Sequence, residues 1–117
     1  ALSAHPDVAK VSFTGSTATG RKVMQSGADT LKRLTLELGG NDAAILLDDV
    51  DVAELAPRIF MAAMLNAGQG CMAAKRIYAP RALYDDLCAA LVAEAEKAVV
   101  GDGMEPDTTS TPSPSCG

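Results

Sequence analysis

The 117 residues, 48% of them apolar, can bury one modest core, about the size of a single small domain, and no larger architecture. A formal net charge of −5, with no block of lysine or arginine, argues against nucleic acid or an anionic membrane as partner and leaves a small molecule. The apolar runs are too short to span a bilayer, and the start, residues 1–5, lacks the features of a signal peptide, so a soluble cytoplasmic protein is expected.

The alternation over residues 9–13, with Val11 and Phe13 on one side, predicts a short strand that feeds Thr14-Gly15-Ser16-Thr17-Ala18-Thr19-Gly20. Helical composition follows over residues 18–28, closed by Gly27, so this turn has two readings. It is an ordinary strand-to-helix connection, or it aims backbone N–H groups and a helix dipole at an anion. The spacing matches neither a dinucleotide fingerprint nor a Walker loop. Residues 34–38 read Leu-Thr-Leu-Glu-Leu, a strand with three leucines on one face and Thr35 with Glu37 on the other. Glutamate is depleted in strands, and Gly39-Gly40 turns the backbone away directly after it. Glu37 is therefore either a solvated edge residue or a carboxylate presented at a parallel strand end, where sites of α/β proteins lie.

The continuous apolar run 43–47 predicts a strand covered on both faces, and Asp48-Asp49-Val50-Asp51 supplies turn and N-cap residues. Val52, Leu55, Ala56, Ile59, Phe60, Ala63 and Met64 then follow the spacing of an amphipathic helix, with Pro57 expected to kink or delay it. Asn66 and Gly68 end that helix just before Gly70-Cys71. A cysteine on a turn with two glycines is either a small buried hydrophobe or a thiol presented beside backbone N–H groups, as a nucleophile requires. A strand over 75–79 and a second amphipathic helix over 81–99 follow, the latter with Leu83, Leu87 and Leu91 and with Tyr84, Cys88, Ala95 and Val99 in its buried stripe. Cys88 is thereby read as core. Cys71, Cys88, Cys116 and the single His5 show no metal-type spacing, so neither a metal nor a disulfide framework is expected. Strands alternating with helices indicate an α/β chain with mostly parallel pairing. Pro, Thr and Ser dominate residues 105–117, which reads as a disordered tail.

Phe13-Thr14-Gly15-Ser16-Thr17 through Gly20, Leu36-Glu37-Leu38-Gly39-Gly40, and Asn66-x-Gly-Gln-x-Cys71, in that order and with the glutamate 34 residues before the cysteine, resemble the middle of the NAD(P)-dependent aldehyde dehydrogenase superfamily. The match runs from Leu2 to Thr109. It implies an aldehyde-dehydrogenase-like α/β fold of Rossmann-type strands with flanking helices, truncated at both ends, since the family's enzymes are several-fold longer. Residues 1–40 would belong to the cofactor domain, 41–104 to the nucleophile-bearing catalytic domain and 105–117 to the tail. It further implies that Cys71 attacks the aldehyde and that Glu37 activates the water that hydrolyses the thioester. Gly15, Ser16 and Gly20 would meet the pyrophosphate of NAD or NADP, and Leu38 and Gly39 the nicotinamide side. The full-length protein would be a homo-oligomer. The alternative is a catalytically inactive truncated product that keeps only nucleotide or partner binding.

Overall fold

Parallel strand pairs organise both halves of the chain. The computed structural model describes residues 2–109, which fall into two units, Ala1–Gly40 and Asn41–Gly117. In the first, β1 (Lys10–Thr14) pairs with β2 (Arg33–Glu37), from Lys10 opposite Arg33 to Thr14 opposite Glu37. Parallel neighbours need a crossover, here helix α1 (Thr17–Gly27) and a 3-10 turn over Ala28–Thr30. Leu31 adopts a left-handed φ of 50° and leads the chain into β2. The period of two read from the sequence holds: Val11, Phe13, Leu34 and Leu36 are half-buried, whereas Ser12, Thr35 and Glu37 are exposed.

In the second unit β3 (Asp42–Ile45) pairs in parallel with β4 (Ala74–Tyr78), and helix α2 (Val52–Met64) lies in the crossover. The Asp51 carboxylate caps α2 by accepting from the N–H groups of Ala53 at 2.8 Å and Glu54 at 3.2 Å. The helix begins at Val52 and runs on through Pro57, so the proline does not delay it. At that position the ring removes a single bond, to the Ala53 carbonyl. Helix α3 (Tyr84–Glu96) follows a 3-10 turn over Arg81–Leu83. Leu46, Ile59 and Leu87 form the buried core, with Val50, Val52, Leu55, Ala79 and Leu91 packed around them.

Burial departs from the sequence pattern in three places. The run 43–47 is not covered on both faces: Leu46 is buried, but Ile45 and Leu47 are 73% and 64% exposed. Among the described residues β3 has one strand neighbour and one helical layer, so its other face has nothing against it. Cys88 is exposed, not core, and Tyr84, Ala95 and Val99 are exposed with it. Leu87 is buried and Leu91 packs against the core, with Leu83 half-buried, because a single helix face fits onto α2. The first residues of the expected tail are tied down: Thr109 N–H donates to the Val99 carbonyl at 2.9 Å, and Val99 N–H to Thr109 Oγ1 at 2.8 Å. Residues 110–117, including Cys116, lie outside the described part. Among the described residues no helix is long and apolar enough to cross a membrane, and no three His, Cys, Asp or Glu side chains are grouped to hold a metal.

Candidate active site

The sequence-predicted residues fall into both units. In the first, Ser16 is the N-cap of α1: its Oγ accepts from Thr19 N–H at 3.2 Å, and its carbonyl from Gly20 N–H at 2.9 Å. The cap leaves the early N–H groups of the helix pointing outward with the positive end of the dipole. Gly15 N–H donates to the Glu37 carbonyl at 3.0 Å, which ties this turn to the end of β2. Gly20 is buried, and a Cβ built on it would lie 2.7 Å from Leu38 Cδ2. A side chain there would turn the Leu38 side chain aside, so the bare glycine leaves Leu38 lying directly on α1. Gly15 has a similar restriction, since its Cβ would sit 2.6 Å from the Phe13 ring. Gly39 is exposed with open space around it. The structure thus brings Gly15, Ser16, Gly20 and Leu38 around one turn, with Glu37 at its edge. The Glu37 side chain is exposed, and its carboxylate has no hydrogen-bond or ion-pair partner among the described residues.

In the second unit the chain leaves α2 through three successive left-handed residues, Asn66, Ala67 and Gly68, at φ 53°, 56° and 74°. Gly68 N–H returns to the carbonyls of Met64 at 3.2 Å and Leu65 at 3.1 Å, so the turn closes on the end of the helix. Gly70 does not share the positive φ that the pair of glycines suggested; alanine and asparagine carry it instead. A Cβ on Gly70 would meet only ordinary contacts with Ala73 at 3.7 Å or more. Cys71 follows, exposed, and no acceptor among the described residues takes its N–H. A thiol and an open N–H donor on one residue are what addition to a carbonyl requires.

Two cations that sequence reading passed over lie on β4. Lys75 Nζ donates to the Gly70 carbonyl at 2.9 Å. Arg76 Nε donates to the Asn41 carbonyl at 3.0 Å, and its guanidinium lies 5.8 Å from the centre of the Tyr78 ring. Their only signal in the sequence is position, four and five residues after Cys71. A cavity of ≈ 290 Å³ lined by Phe60, Met61, Met64, Ala95, Ala98, Val100 and Thr109 contains none of the predicted site residues.

Residues 1–116 match the profile of the aldehyde dehydrogenase family, past Thr109, where the resemblance read from the sequence was expected to stop. A probable aldehyde dehydrogenase of a Pseudomonas species is 51% identical over 111 residues, 95% of this chain and 23% of that protein. A probable betaine aldehyde dehydrogenase of Schizosaccharomyces pombe is 40% identical over 112 residues, 96% of this chain and 22% of its own length. Among solved structures, an aldehyde dehydrogenase C of Pseudomonas syringae, a cysteine-to-alanine mutant complexed with NAD+ and octanal, superposes with a TM-score of 0.90 at 40% identity. That match covers 95% of this chain and 23% of the other. An NADP-dependent enzyme of E. coli gives 0.86 at 38% identity, covering 92% and 22%. The chain therefore spans less than a quarter of the relatives it matches.

Proposed function

The chain belongs to the aldehyde dehydrogenase family, and on that premise we propose that it serves the NAD(P)-dependent oxidation of an aldehyde to a carboxylic acid. Cys71 is the nucleophile. The single observation that carries this is its exposure at the end of a left-handed turn, with a backbone N–H that no described residue accepts. Sulfur attack on the carbonyl carbon places negative charge on the oxygen, and that N–H is one donor for it. Glu37, exposed and unpaired at the end of β2, takes the proton of the water that hydrolyses the resulting thioester.

Residues 1–40 bind the cofactor in this reading. The capped start of α1 suits a pyrophosphate, because its outward N–H groups carry partial positive charge, and Gly15 and Gly20 keep the turn free of Cβ atoms. Leu38 and Gly39 border the nicotinamide. A bound nicotinamide supplies the hydride acceptor; NAD+ complexes and an NADP-dependent enzyme among similar structures support either cofactor. A cytoplasmic location and a homo-oligomeric full-length protein belong to the same proposal, on the family resemblance. The second reading, an inactive product, is favoured by the sheets: among the described residues both are two-stranded and β3 has a bare face.

Pre-steady-state kinetics test the catalytic roles in an enzyme in which this segment is continued to full family length. Cys71→Ala should abolish NAD(P)H formation. Glu37→Gln should leave the first-turnover burst and slow steady turnover, because water activation follows hydride transfer. Equal loss of burst and steady rate would remove Glu37 from this role, and turnover by Cys71→Ala would remove Cys71.

A further inference from the structure

We propose that Lys75 is a positioning residue for the nucleophile turn: its ammonium holds and polarises the Gly70–Cys71 peptide, so that the Cys71 N–H is presented as a strengthened oxyanion donor. The inference deepens the reading of Cys71 as nucleophile and rests on it. The Gly70 carbonyl accepts from Lys75 Nζ at 2.9 Å and from Ala73 N–H at 3.2 Å, which engages both of its lone pairs. The carbonyl and the following N–H belong to one conjugated peptide unit. Donors at the oxygen withdraw charge from the nitrogen and make its hydrogen a better donor, and a charged donor is roughly twice as effective as a neutral one.

The register of the second sheet shows how a strand lysine reaches back to that carbonyl. Asp42 pairs with Ala74 and Ala43 with Arg76, so two consecutive residues of β3 span three of β4, and Lys75 is the inserted one. A bulge of this kind re-aims a side chain out of the regular alternation. The turn is also one that needs holding from both sides. Upstream, the left-handed run Asn66, Ala67 and Gly68 is anchored by Gly68 N–H on Met64 and Leu65. Downstream, the bonds that Lys75 and Ala73 donate to the Gly70 carbonyl define where the Cys71 peptide points.

Gly70-Cys71 is the sole Gly-Cys dipeptide in the sequence, so carbonyl-13C glycine with 15N cysteine labels one peptide bond in the full 117-residue chain. Its signal is readable in solution or, if the chain associates, in the solid state. Relative to the unsubstituted chain, Lys75→Met should move the Gly70 carbonyl and Cys71 amide-proton resonances upfield. Lys75→Arg should keep them in place, and Lys75→Gln, a neutral donor, should fall between. In the full-length enzyme Lys75→Met should lower kcat about 3- to 10-fold at unchanged aldehyde KM, a fraction of the ~100- to 1,000-fold loss that follows deleting an oxyanion donor outright. Lys75→Arg should restore most of it. Unmoved resonances in Lys75→Met, an equal shift in Lys75→Arg, or an unchanged kcat would overturn the proposal; if Lys75→Met fails to fold, an unmoved Lys75→Gln would do so. Turnover by Cys71→Ala would refute the nucleophile assignment alone, since the labelled peptide reports the lysine contact whether or not the cysteine reacts.

Discussion

At the scale of single residues, the nucleophile turn concentrates conformational strain. Ala67 sits at φ 56° between Asn66 and Gly68, and an L residue with a plain Cβ pays about 1–2 kcal/mol there. Ala67→Gly should therefore stabilise the chain by about 0.5–1 kcal/mol, the relief of strain exceeding the extra unfolded-state entropy of glycine. Urea unfolding measures it, and a loss of stability would mean that the alanine methyl makes a contact worth more than the strain. The two described cysteines are both exposed, so both should be alkylated in the folded chain. Mapping the label checks this: protection of Cys88 would return it to the core position its helical spacing suggested. Gly20 behaves differently from Gly39. Gly20→Ala brings a methyl to 2.7 Å from Leu38 Cδ2, the movable end of a half-buried side chain, and gains helix propensity inside α1, so urea unfolding should show a net change within about 1 kcal/mol, whereas the open space around Gly39 implies no contact at all.

At the scale of elements, two polar anchors decide how strands and helices begin. Lys32, immediately before β2, is buried to 9% exposure and donates to the carbonyls of His5 at 2.5 Å and Val8 at 2.6 Å. It fastens the approach to β1 against the start of β2, and nothing in its spacing announced that, because a lysine beside Arg33 reads as an ordinary surface cation. Lys32→Met keeps the stem and removes the donor, leaving two carbonyls to find water, at a cost of about 2–3 kcal/mol by chemical denaturation. Near-neutrality would show that solvent already serves both carbonyls. Asp51, by contrast, was legible as an N-cap, since a carboxylate before an apolar-periodic segment has few other uses. Asp51→Ala should cost about 1 kcal/mol, with the helical signal of α2 fraying first.

At the scale of the whole chain, pairing in two separate two-stranded sheets leaves strand edges and large apolar side chains uncovered among the described residues. Ile45, Leu47, Met61, Met64 and Val92 are all more than half exposed. Isolated two-stranded sheets are marginal, and bare edges recruit other strands. The 117-residue chain should sediment as larger species at concentrations where a compact protein of 12.0 kDa stays monomeric. It should also form no NAD(P)H above a Cys71→Ala control with any of several aldehydes, because it carries less than a quarter of the relatives' length and the alignment of hydride donor and acceptor is a property of the full site. A monodisperse monomer with Cys71-dependent turnover would contradict both expectations.

What the sequence determined by itself was local. Period-two alternation placed Val11 with Phe13 and Leu34 with Leu36, helical spacing placed Ile59 and Leu87 in the core, and the order of the Gly15-Ser16, Glu37-Leu38 and Cys71 segments pointed to the family. These are written in composition and spacing because steric preference and period act within a few residues of chain. The tertiary structure alone decided which apolar stripe is covered. Ile45 and Cys88 sit in patterns as good as those of Leu46 and Leu87, but a layer exists on only one side to receive them. It alone also decided that Gly20 lies beneath the Leu38 side chain, that Lys32 spans 27 residues of chain to His5, and that a bulge in β4 returns Lys75 to Gly70. Each of these depends on groups remote in sequence, or on a change of register, meeting at a few ångströms, and no spacing rule encodes that approach.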